Sequence, residues 1–273
     1  MAVNDFSRDA IRQSGYLRDG FADHYDAFRP RPPTVLLDAL ERYAGGPRLR
    51  RVVDLGSGTG LSTRAWADRA DEVVGVEPNP AMREAAERRT TQGGVRYLDA
   101  FADDTGLEEG SADLVTCSQS FHWMEPEPTL AEAARLLRPG GVFAAYDYDY
   151  PPFVHPEIDA AYVEHLRRRA RVRDEHRVEA GWTRTPKAGH LERIRECGHF
   201  SLVRELVLHD ELEGGADELL GFAHSLGLVP ELRALGATDE ELGLEALAAT
   251  IRGVLADRRV PVVFGYRVRL GVR

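Results

Sequence analysis

The sequence predicts an α/β fold: a doubly wound, Rossmann-like sheet of seven mostly parallel strands with helical cap insertions. Two segments indicate it. A short apolar run over 52–55 leads through Gly56, Gly58 and Gly60 into a helical pattern. A second apolar run then ends in Glu77, 21 residues after Gly56. Strand, glycine turn, helix and strand in this order are typical of a parallel sheet covered by helices on both faces.

The alternation of strands and helices continues to about residue 150. Asn79 is expected to cap a helix that begins at Pro80, because its side chain can accept a hydrogen bond from the first turn. An Arg-Pro-Gly-Gly breaker at 138–141 should end another helix. The other predicted elements of this region are helices over 61–70 and 129–137 and strands over 95–98, 112–118 and 142–146.

After residue 150 the simple alternation stops. The patterns there predict helices over 156–178, 186–197, 216–228 and 239–255, the last opened by a capping box at Thr238 and Glu241, and strands over 200–208 and 262–270. We expect a single domain over 1–273. Its expected parts are an N-terminal arm and helix (1–45), a core (46–150), two helical cap insertions (151–198 and 214–259) and the last two strands (200–210 and 261–271).

The glycine turn and Glu77 together predict a nucleoside site. Glycines let a ligand approach the backbone, and a doubly wound sheet places the carboxylate that binds ribose hydroxyls at about the spacing of Glu77. A dinucleotide fingerprint starting at Gly56 needs glycine at position 61, where this chain has Leu61. A P-loop needs a lysine before its Ser or Thr, and none precedes Ser62.

The segment 54–60, Asp-Leu-Gly-Ser-Gly-Thr-Gly, fits the pattern D-x-G-x-G-x-G, and here the chain resembles the class I S-adenosylmethionine-dependent methyltransferases. Tyr-Asp-Ala-Phe-Arg-Pro at 25–30, Phe-His-Trp at 121–123 and Leu-Arg-Pro-Gly-Gly at 137–141 resemble, more narrowly, the type-11 family related to trans-aconitate methyltransferase. The resemblance runs from about 25 to 146. It departs after the third strand, where relatives often read D-A-E-x-L-P and this chain has Asp-Ala-Phe-Ala-Asp-Asp at 99–104.

This resemblance implies S-adenosylmethionine as the cofactor and S-adenosylhomocysteine as the product. It implies that Asp99 accepts a hydrogen bond from the adenine amino group and that Arg29, beside Tyr25, meets the methionine carboxylate. A solvent-facing role explains Arg29 nearly as well. The expected cofactor-binding residues are Tyr25, Arg29, Asp54, Gly56, Ser57, Gly58, Thr59, Gly60, Glu77, Pro78, Met82, Asp99, Ala100, Phe101, Ser118 and Gln119.

The residues after the fourth strand are expected to face the methyl acceptor. His122 is predicted to be the catalytic residue, as a general base or a substrate hydrogen-bond donor, with a structural histidine packed beside Trp123 as the plainer alternative. Phe121, Trp123 and Tyr146 are the expected substrate-binding residues. An arginine-rich run over 167–173 fits a solvated helix face better than an acidic-substrate site.

The net charge of −10 argues against a nucleic-acid partner or an anionic membrane surface. Two cysteines are too few for a disulfide framework, and we expect no metal site. The absence of a signal-like or membrane-spanning apolar run favours a cytoplasmic protein. The sequence leaves the oligomeric state open.

The expected function is methyl transfer to a small-molecule acceptor, with a carboxylate or a hydroxyl favoured. The sequence leaves three alternative functions open. A NAD-dependent oxidoreductase shares the sheet but needs the glycine that Leu61 replaces. A methyltransferase acting on RNA or protein fits poorly with the acidic charge. A non-catalytic S-adenosylmethionine-binding protein shares every cofactor motif.

Overall fold

A computed structural model of the chain describes residues 21–176 and 185–273. The first part of the expected N-terminal arm (1–20) and part of the first cap insertion (177–184) lie outside the described residues. The seven strands are β1 (Leu49–Leu55), β2 (Ala70–Val76), β3 (Val95–Leu98), β4 (Ala112–Ser118), β5 (Leu137–Tyr148), β6 (Leu202–Gly214) and β7 (Val260–Val272).

The strands form one mixed sheet in the order β3-β2-β1-β4-β5-β7-β6. The pairs from β3 to β5 are parallel, whereas β7 runs antiparallel to both of its neighbours, β5 and β6. Successive strands are added on one side of β1 as far as β3, and β4 is then added on its other side. This reversal of the strand order creates a crevice at the carboxyl ends of β1 and β4. The predicted doubly wound sheet with its last strand antiparallel is confirmed.

Helices cover both faces of the sheet. Those of the described residues are α1 (Phe21–Phe28), α2 (Thr34–Tyr43), α3 (Leu61–Ala65), α4 (Pro80–Arg89), α5 (Pro126–Leu136), α6 (Pro156–Glu175), α7 (His190–Glu196), α8 (Ala216–His224), α9 (Leu228–Ala234) and α10 (Leu244–Leu255), with short 3₁₀ turns at Phe121–Trp123 and Lys187–Gly189. The Asn79 side chain accepts a hydrogen bond from the Met82 backbone N–H at 3.1 Å, so the predicted cap of α4 is confirmed.

Several predicted boundaries were wrong for local reasons. The helix after the glycine turn ends at Ala65, because Trp66 is fully buried and the Arg69 carbonyl already accepts a hydrogen bond from the Leu49 N–H at the start of β1. The predicted helix over 216–228 is two helices separated near Ser225. The Arg-Pro-Gly-Gly segment does end α5, but β5 starts at Leu137 and these residues bulge from the strand.

The capping box at Thr238 and Glu241 forms, yet it caps only one turn. The Thr238 backbone N–H donates to the Glu241 carboxylate at 2.8 Å, and the Glu241 N–H donates to the Thr238 hydroxyl at 3.2 Å. Gly243 then adopts a left-handed backbone with φ of 74°, so α10 begins only at Leu244. The sequence pattern located the right hydrogen bonds and the wrong helix start.

Two apolar clusters lie on opposite faces of the sheet. Neighbouring residues of one strand divide between them, as Val52 and Val53 do, because successive side chains point to opposite faces. The first cap insertion divides in the same way: Tyr162 of α6 belongs to one cluster and Ile194 of α7 to the other. No helix among the described residues is long and apolar enough to cross a membrane.

Candidate active site

A cavity of about 320 Å³ opens at the carboxyl ends of β1, β2, β4 and β5, where the direction of the sheet reverses. Its walls come from α1, the segments that follow these strands, the N-terminal end of α5, and β7. The lining residues are Tyr25, Arg29, Pro30, Pro32, Gly56, Ser57, Gly58, Thr59, Leu61, Ser62, Glu77, Pro78, Asn79, Met82, Phe101, Ala102, Asp103, Ser118, Gln119, Ser120, Trp123, Met124, Glu125, Thr129, Tyr146, Tyr148 and Tyr266.

The glycine turn forms one wall of this cavity. Gly56, Gly58 and Gly60 have φ angles of 67°, 56° and 78°, a left-handed conformation that side chains other than glycine rarely adopt. A Cβ atom on Gly56 would lie 2.7 Å from Ser120, and one on Gly60 would collide with the Tyr97 hydroxyl. Backbone geometry therefore favours glycine at all three positions, and close packing additionally requires it at Gly56 and Gly60.

Glu77 joins the glycine turn to the helix that follows β2. Its Oε2 atom accepts a hydrogen bond from the Gly58 backbone N–H at 2.9 Å, and its Oε1 atom accepts one from the Asn79 N–H at 2.8 Å. The residue is only 8% exposed, and burial raises the pKa of its carboxyl group. Each carboxylate oxygen keeps acceptor capacity for a ligand hydroxyl in the cavity.

Asp54 supports the site from behind the glycine turn. It is fully buried, and its two oxygens accept hydrogen bonds from the hydroxyls of Thr63 at 2.7 Å and Thr116 at 2.8 Å. Burial raises the pKa of this carboxyl to about 6. Asp54 does not line the cavity, so the structure places it where it holds α3 and β4 against the turn.

The turn after β3 brings an acidic residue to the cavity. The Asp104 N–H donates to the Phe101 carbonyl at 3.2 Å, and this tight turn places Phe101, Ala102 and Asp103 on the wall. Asp99 lies outside the cavity with its side chain 49% exposed and forms an ion pair of 3.2 Å with Arg83. Ala100, also predicted from the sequence, does not line the cavity either.

Arg29 links three parts of the chain at the other end of the cavity. Its guanidinium donates to the hydroxyls of Tyr148 at 2.5 Å and Tyr150 at 2.7 Å, and to the Ser225 carbonyl after α8 at 2.7 Å. The same group lies 4.6 Å from the centre of the Tyr25 ring. Within the described ranges, no carboxylate forms an ion pair with Arg29, so its charge is available to an anionic ligand group.

Three lining residues carry a buried polar atom without a hydrogen-bond partner in the described part of the chain: Ser57 Oγ, Arg29 Nε and Gln119 Nε2. Unsatisfied buried polar atoms are costly, and they are retained where a ligand or water completes their bonding. Their position around one cavity fits a polar ligand with an anionic end near Arg29 and hydroxyl groups near Glu77. An aminoacyl nucleoside such as S-adenosylmethionine has these groups.

A network of charged side chains holds the Gln119 side chain in place. The Lys187 ammonium donates to the side-chain amide oxygen of Gln119 at 2.7 Å and forms an ion pair with Asp147 at 2.7 Å. Asp147 also forms an ion pair with Arg269 at 3.0 Å. Gln119 has a φ of 53°, an uncommon value for a residue other than glycine. The second 3₁₀ turn of the chain, which carries Lys187, is in this way connected to the cavity wall.

His122 lies next to the cavity and does not line it. The side chain is 7% exposed, its ring packs 5.2 Å from that of Trp123, and its Nδ1 atom is 3.8 Å from Asp147. Trp123 and Tyr146 do line the cavity, whereas Phe121 is buried against Phe143 and His190. The Tyr146 hydroxyl is 2.6 Å from that of Ser62, which connects β5 to α3.

Most of the predicted site residues therefore meet at one cavity; Asp54, Gly60, Asp99, Ala100, Phe121 and His122 do not line it. Sequence reasoning missed several wall residues, including Ser62, Asn79, Asp103 and Tyr266. Tyr266 faces Tyr148 across the β5–β7 pair, so the register of that pair would have identified it. Asp103 reaches the wall through a turn that no sequence spacing marks.

Comparison with known proteins agrees with this geometry. Residues 53–145 match the methyltransferase domain family Methyltransf_11. The chain is 30% identical over 160 residues to the Saccharomyces cerevisiae protein CRG1, named a probable S-adenosylmethionine-dependent methyltransferase, a match that covers 56% of this chain and 55% of CRG1. It is 37% identical over 117 residues to an uncharacterized methyltransferase of Mycobacterium bovis, covering 43% and 46% of the two chains. The chain thus spans about half the length of these curated relatives.

A solved structure from Anaeromyxobacter dehalogenans, assigned to a type II methyltransferase, has a TM-score of 0.69 and 28% identity, and the match covers 90% of this chain and 98% of that one. The predicted class I methyltransferase fold is confirmed. The narrower likeness to trans-aconitate methyltransferase stays a prediction. What the comparisons show of the chain's family is the match of residues 53–145 to the methyltransferase domain family.

Proposed function

We propose that this protein transfers a methyl group from S-adenosylmethionine to a small-molecule acceptor, with a carboxylate or a hydroxyl as the favoured accepting group. The observation that carries the proposal is the cavity itself. It combines the left-handed glycine turn, the buried carboxylate of Glu77 and the guanidinium of Arg29, which has no carboxylate partner among residues 21–176 and 185–273. Its walls also close around space enough for a ligand of drug-like size.

The cofactor assignment follows the polar groups of the cavity. Glu77 accepts the ribose hydroxyls, since both of its oxygens are held in place by backbone N–H groups. Arg29 binds the methionine carboxylate, with Ser57 and Gln119 offering further hydrogen bonds nearby. For the adenine amino group we favour Asp103 over Asp99, because Asp103 lines the cavity and Asp99 is paired with Arg83 outside it.

When bound, S-adenosylmethionine supplies a methyl group on a sulfonium, which a nucleophile can take by in-line displacement. The protein's task is then to hold the acceptor in line and exclude water, because the sulfonium is already a good leaving group. Trp123, Tyr146 and Tyr148 offer apolar ring surface to the methyl-bearing region and the acceptor. A carboxylate acceptor needs no base, whereas a hydroxyl acceptor must lose a proton.

The predicted catalytic role of His122 remains a proposal. Its imidazole would have to turn toward the cavity to take a proton directly, because His122 does not line the cavity whereas the neighbouring Trp123 does. Asp147, 3.8 Å from Nδ1, is placed to stabilise the protonated ring. Replacement His122→Ala is expected to lower turnover with a hydroxyl acceptor and to leave S-adenosylhomocysteine affinity unchanged; unchanged turnover would leave His122 as a packing residue beside Trp123.

Calorimetry with S-adenosylhomocysteine tests the cofactor site. The charge-neutral variant Glu77→Gln is expected to bind it at least about tenfold more weakly, because hydrogen bonds to a charged group contribute about 1.5–3 kcal/mol each. The matched control is Glu84→Gln on α4, where the side chain is 67% exposed and does not line the cavity. Equal affinity of the two variants would contradict the ribose role. Binding of NAD by the parent, without S-adenosylhomocysteine binding, would contradict the proposed function.

Activity screening identifies the acceptor. Panels of small carboxylic acids, phenols and amines, incubated with S-adenosylmethionine, should show release of S-adenosylhomocysteine with at least one member. We expect this member to carry a carboxylate or a hydroxyl. Tight S-adenosylhomocysteine binding without release on any panel would instead favour a protein that binds the cofactor and does not transfer its methyl group.

A further inference from the structure

Strand β6 is one of the two edge strands of the sheet and, with thirteen residues against four in β3, the longer one. It pairs with β7 over thirteen residues without a register shift, and in the described part of the chain no strand pairs with its outer edge. Its sequence, LVRELVLHDELEG, contains no proline and no lysine, two residues that commonly protect edge strands. A long, regular edge with free backbone N–H and C=O groups is a template for pairing with another strand.

Exposed apolar side chains are concentrated on the same strand. Of the six large apolar residues that are strongly exposed in the described ranges, three lie on β6: Leu202 at 44%, Val207 at 65% and Leu212 at 40%. They are spread along the whole strand, each five residues from the next. An edge partner would therefore find apolar surface at both ends and at the centre of the strand.

The charges of β6 are self-complementary in one register. When two identical strands pair antiparallel about a two-fold axis, one residue lies opposite its own copy at the axis. Every other residue then lies opposite the residue at the same distance on the other side of that central position. With Val207 at the centre, Arg204 lies opposite Asp210 and Leu202 lies opposite Leu212. Each of these pairs occurs twice in the interface, once on each side of the centre. Arg204 and Asp210 form no ion pair with any other residue that the structure describes.

Other registers lose this match. Centring on residue 208 places Glu205 opposite Glu211, and centring on residue 206 places Arg204 opposite Leu208 and Asp210 opposite Leu202. Like charges directly opposite each other weaken a strand pair, and opposite charges strengthen it. The distribution of charge thus selects both the partner, which is a strand of identical sequence, and the register.

We propose that two copies of this chain associate through their β6 strands, antiparallel and centred on Val207, so that the two seven-stranded sheets become one continuous sheet. The two-fold axis passes between the Val207 residues and makes the interface isologous. The cofactor cavity opens at the carboxyl ends of β1, β2, β4 and β5, so the interface leaves it accessible.

Sedimentation velocity of the full chain over a range of concentrations tests the proposal. The parent is expected to show a species of twice the monomer mass of 30.3 kDa. Each of the variants Arg204→Glu and Asp210→Arg places like charges opposite each other at two positions and should weaken the dimer by about tenfold or more. The control Arg167→Glu, at an exposed position of α6, makes the same charge change as Arg204→Glu and should leave the dimer unaffected.

A mixing experiment separates β6 pairing from other causes. An equimolar mixture of Arg204→Glu and Asp210→Arg should form a heterodimer, because each glutamate or aspartate then faces an arginine. The double variant with both changes should likewise recover the parent's dimer affinity. A monomeric parent, or a dimer that neither single variant weakens, would overturn the proposal. Single variants that keep the parent's melting temperature but form no heterodimer when mixed would also overturn it.

Discussion

At the scale of single residues, the site depends on buried carboxylates that differ in their partners. Asp54 is bonded by side-chain hydroxyls, among them those of Thr63 and Thr116, whereas Glu77 is bonded by two backbone N–H groups. Burial dominates in both cases and raises both pKa values, to about 6 for Asp54. A charge that is retained at such a cost indicates that the geometry of the strand ends matters more than their stability.

Asp54 should make stability depend on pH. When folding raises the pKa of a carboxyl group, the group contributes most to stability at pH values below its unfolded-state pKa. For Asp54 this contribution is lost as pH rises from the unfolded-state pKa of about 4 through the folded-state pKa of about 6. Between pH 5.5 and 7.5 the parent should therefore lose about 1 kcal/mol of unfolding free energy through this group. Denaturant unfolding of Asp54→Asn, in which this component is absent, should show a smaller loss over the same interval. An equal loss would contradict the raised pKa.

The adenine contact gives a second test at this scale. Asp103→Ala is expected to weaken S-adenosylhomocysteine binding by at least about tenfold, the effect of losing one hydrogen bond to a charged group. Its binding of the 6-oxo analogue, in which a carbonyl replaces the adenine amino group, should be less affected. Asp99→Ala is the matched control and should change neither affinity, because Asp99 lies outside the cavity. The reverse result would return the contact to Asp99.

These two aspartates also show how far residue-level prediction reaches. The glycine turn and Glu77 were predicted from spacing, because one strand, one turn and one helix fix their relative positions. Asp103 depends on a turn closed by a hydrogen bond between Asp104 and Phe101, and its own spacing carries no signal. Lys187 reaches Gln119 from a segment 68 residues away, so only the folded chain reveals that contact.

At the scale of elements, the order of the strands and the first turn were predicted well, whereas the bounds of β5, β6 and β7 and of several helices were predicted less well. Strands β3 and β4 match their predicted ranges, since buried runs have clear ends. Helix α10 begins later than predicted because Gly243 interrupts a capped turn, and α3 is shortened by the burial of Trp66. In each case, tertiary packing or a left-handed glycine outweighed local propensity.

The glycine turn as an element depends on close approach to β3. Gly60→Ala should lower both the melting temperature and S-adenosylhomocysteine affinity, because φ is 78° and the new methyl group would collide with the Tyr97 hydroxyl. Gly106→Ala is the matched control: φ is 68°, and no atom lies within 4 Å of its Cβ position. The control should show only the cost of the left-handed backbone, about 1–2 kcal/mol. Equal cofactor affinity in the two variants would contradict a packing role for Gly60.

At the scale of the whole molecule, the cavity is built by parts that are far apart in the chain. Arg29 follows α1, Tyr148 ends β5, and Ser225 follows α8, so one guanidinium joins the N-terminal region, the sheet and the second cap insertion. The sequence predicted these parts separately and gave no sign of the connection. A ligand carboxylate at Arg29 would stabilise all three parts at once.

Hydrogen exchange should show this coupling. Binding of S-adenosylhomocysteine is expected to slow exchange more in α8 (Ala216–His224) than in α10 (Leu244–Leu255), because the Phe222 ring of α8 and the Ser225 carbonyl that follows it lie against Arg29. The variant Arg29→Met should still fold, and it should lose the difference between the two helices together with part of the affinity. Equal protection of both helices in the liganded parent would mean that the cofactor stabilises the chain globally, and that Arg29 does not transmit its binding to the cap.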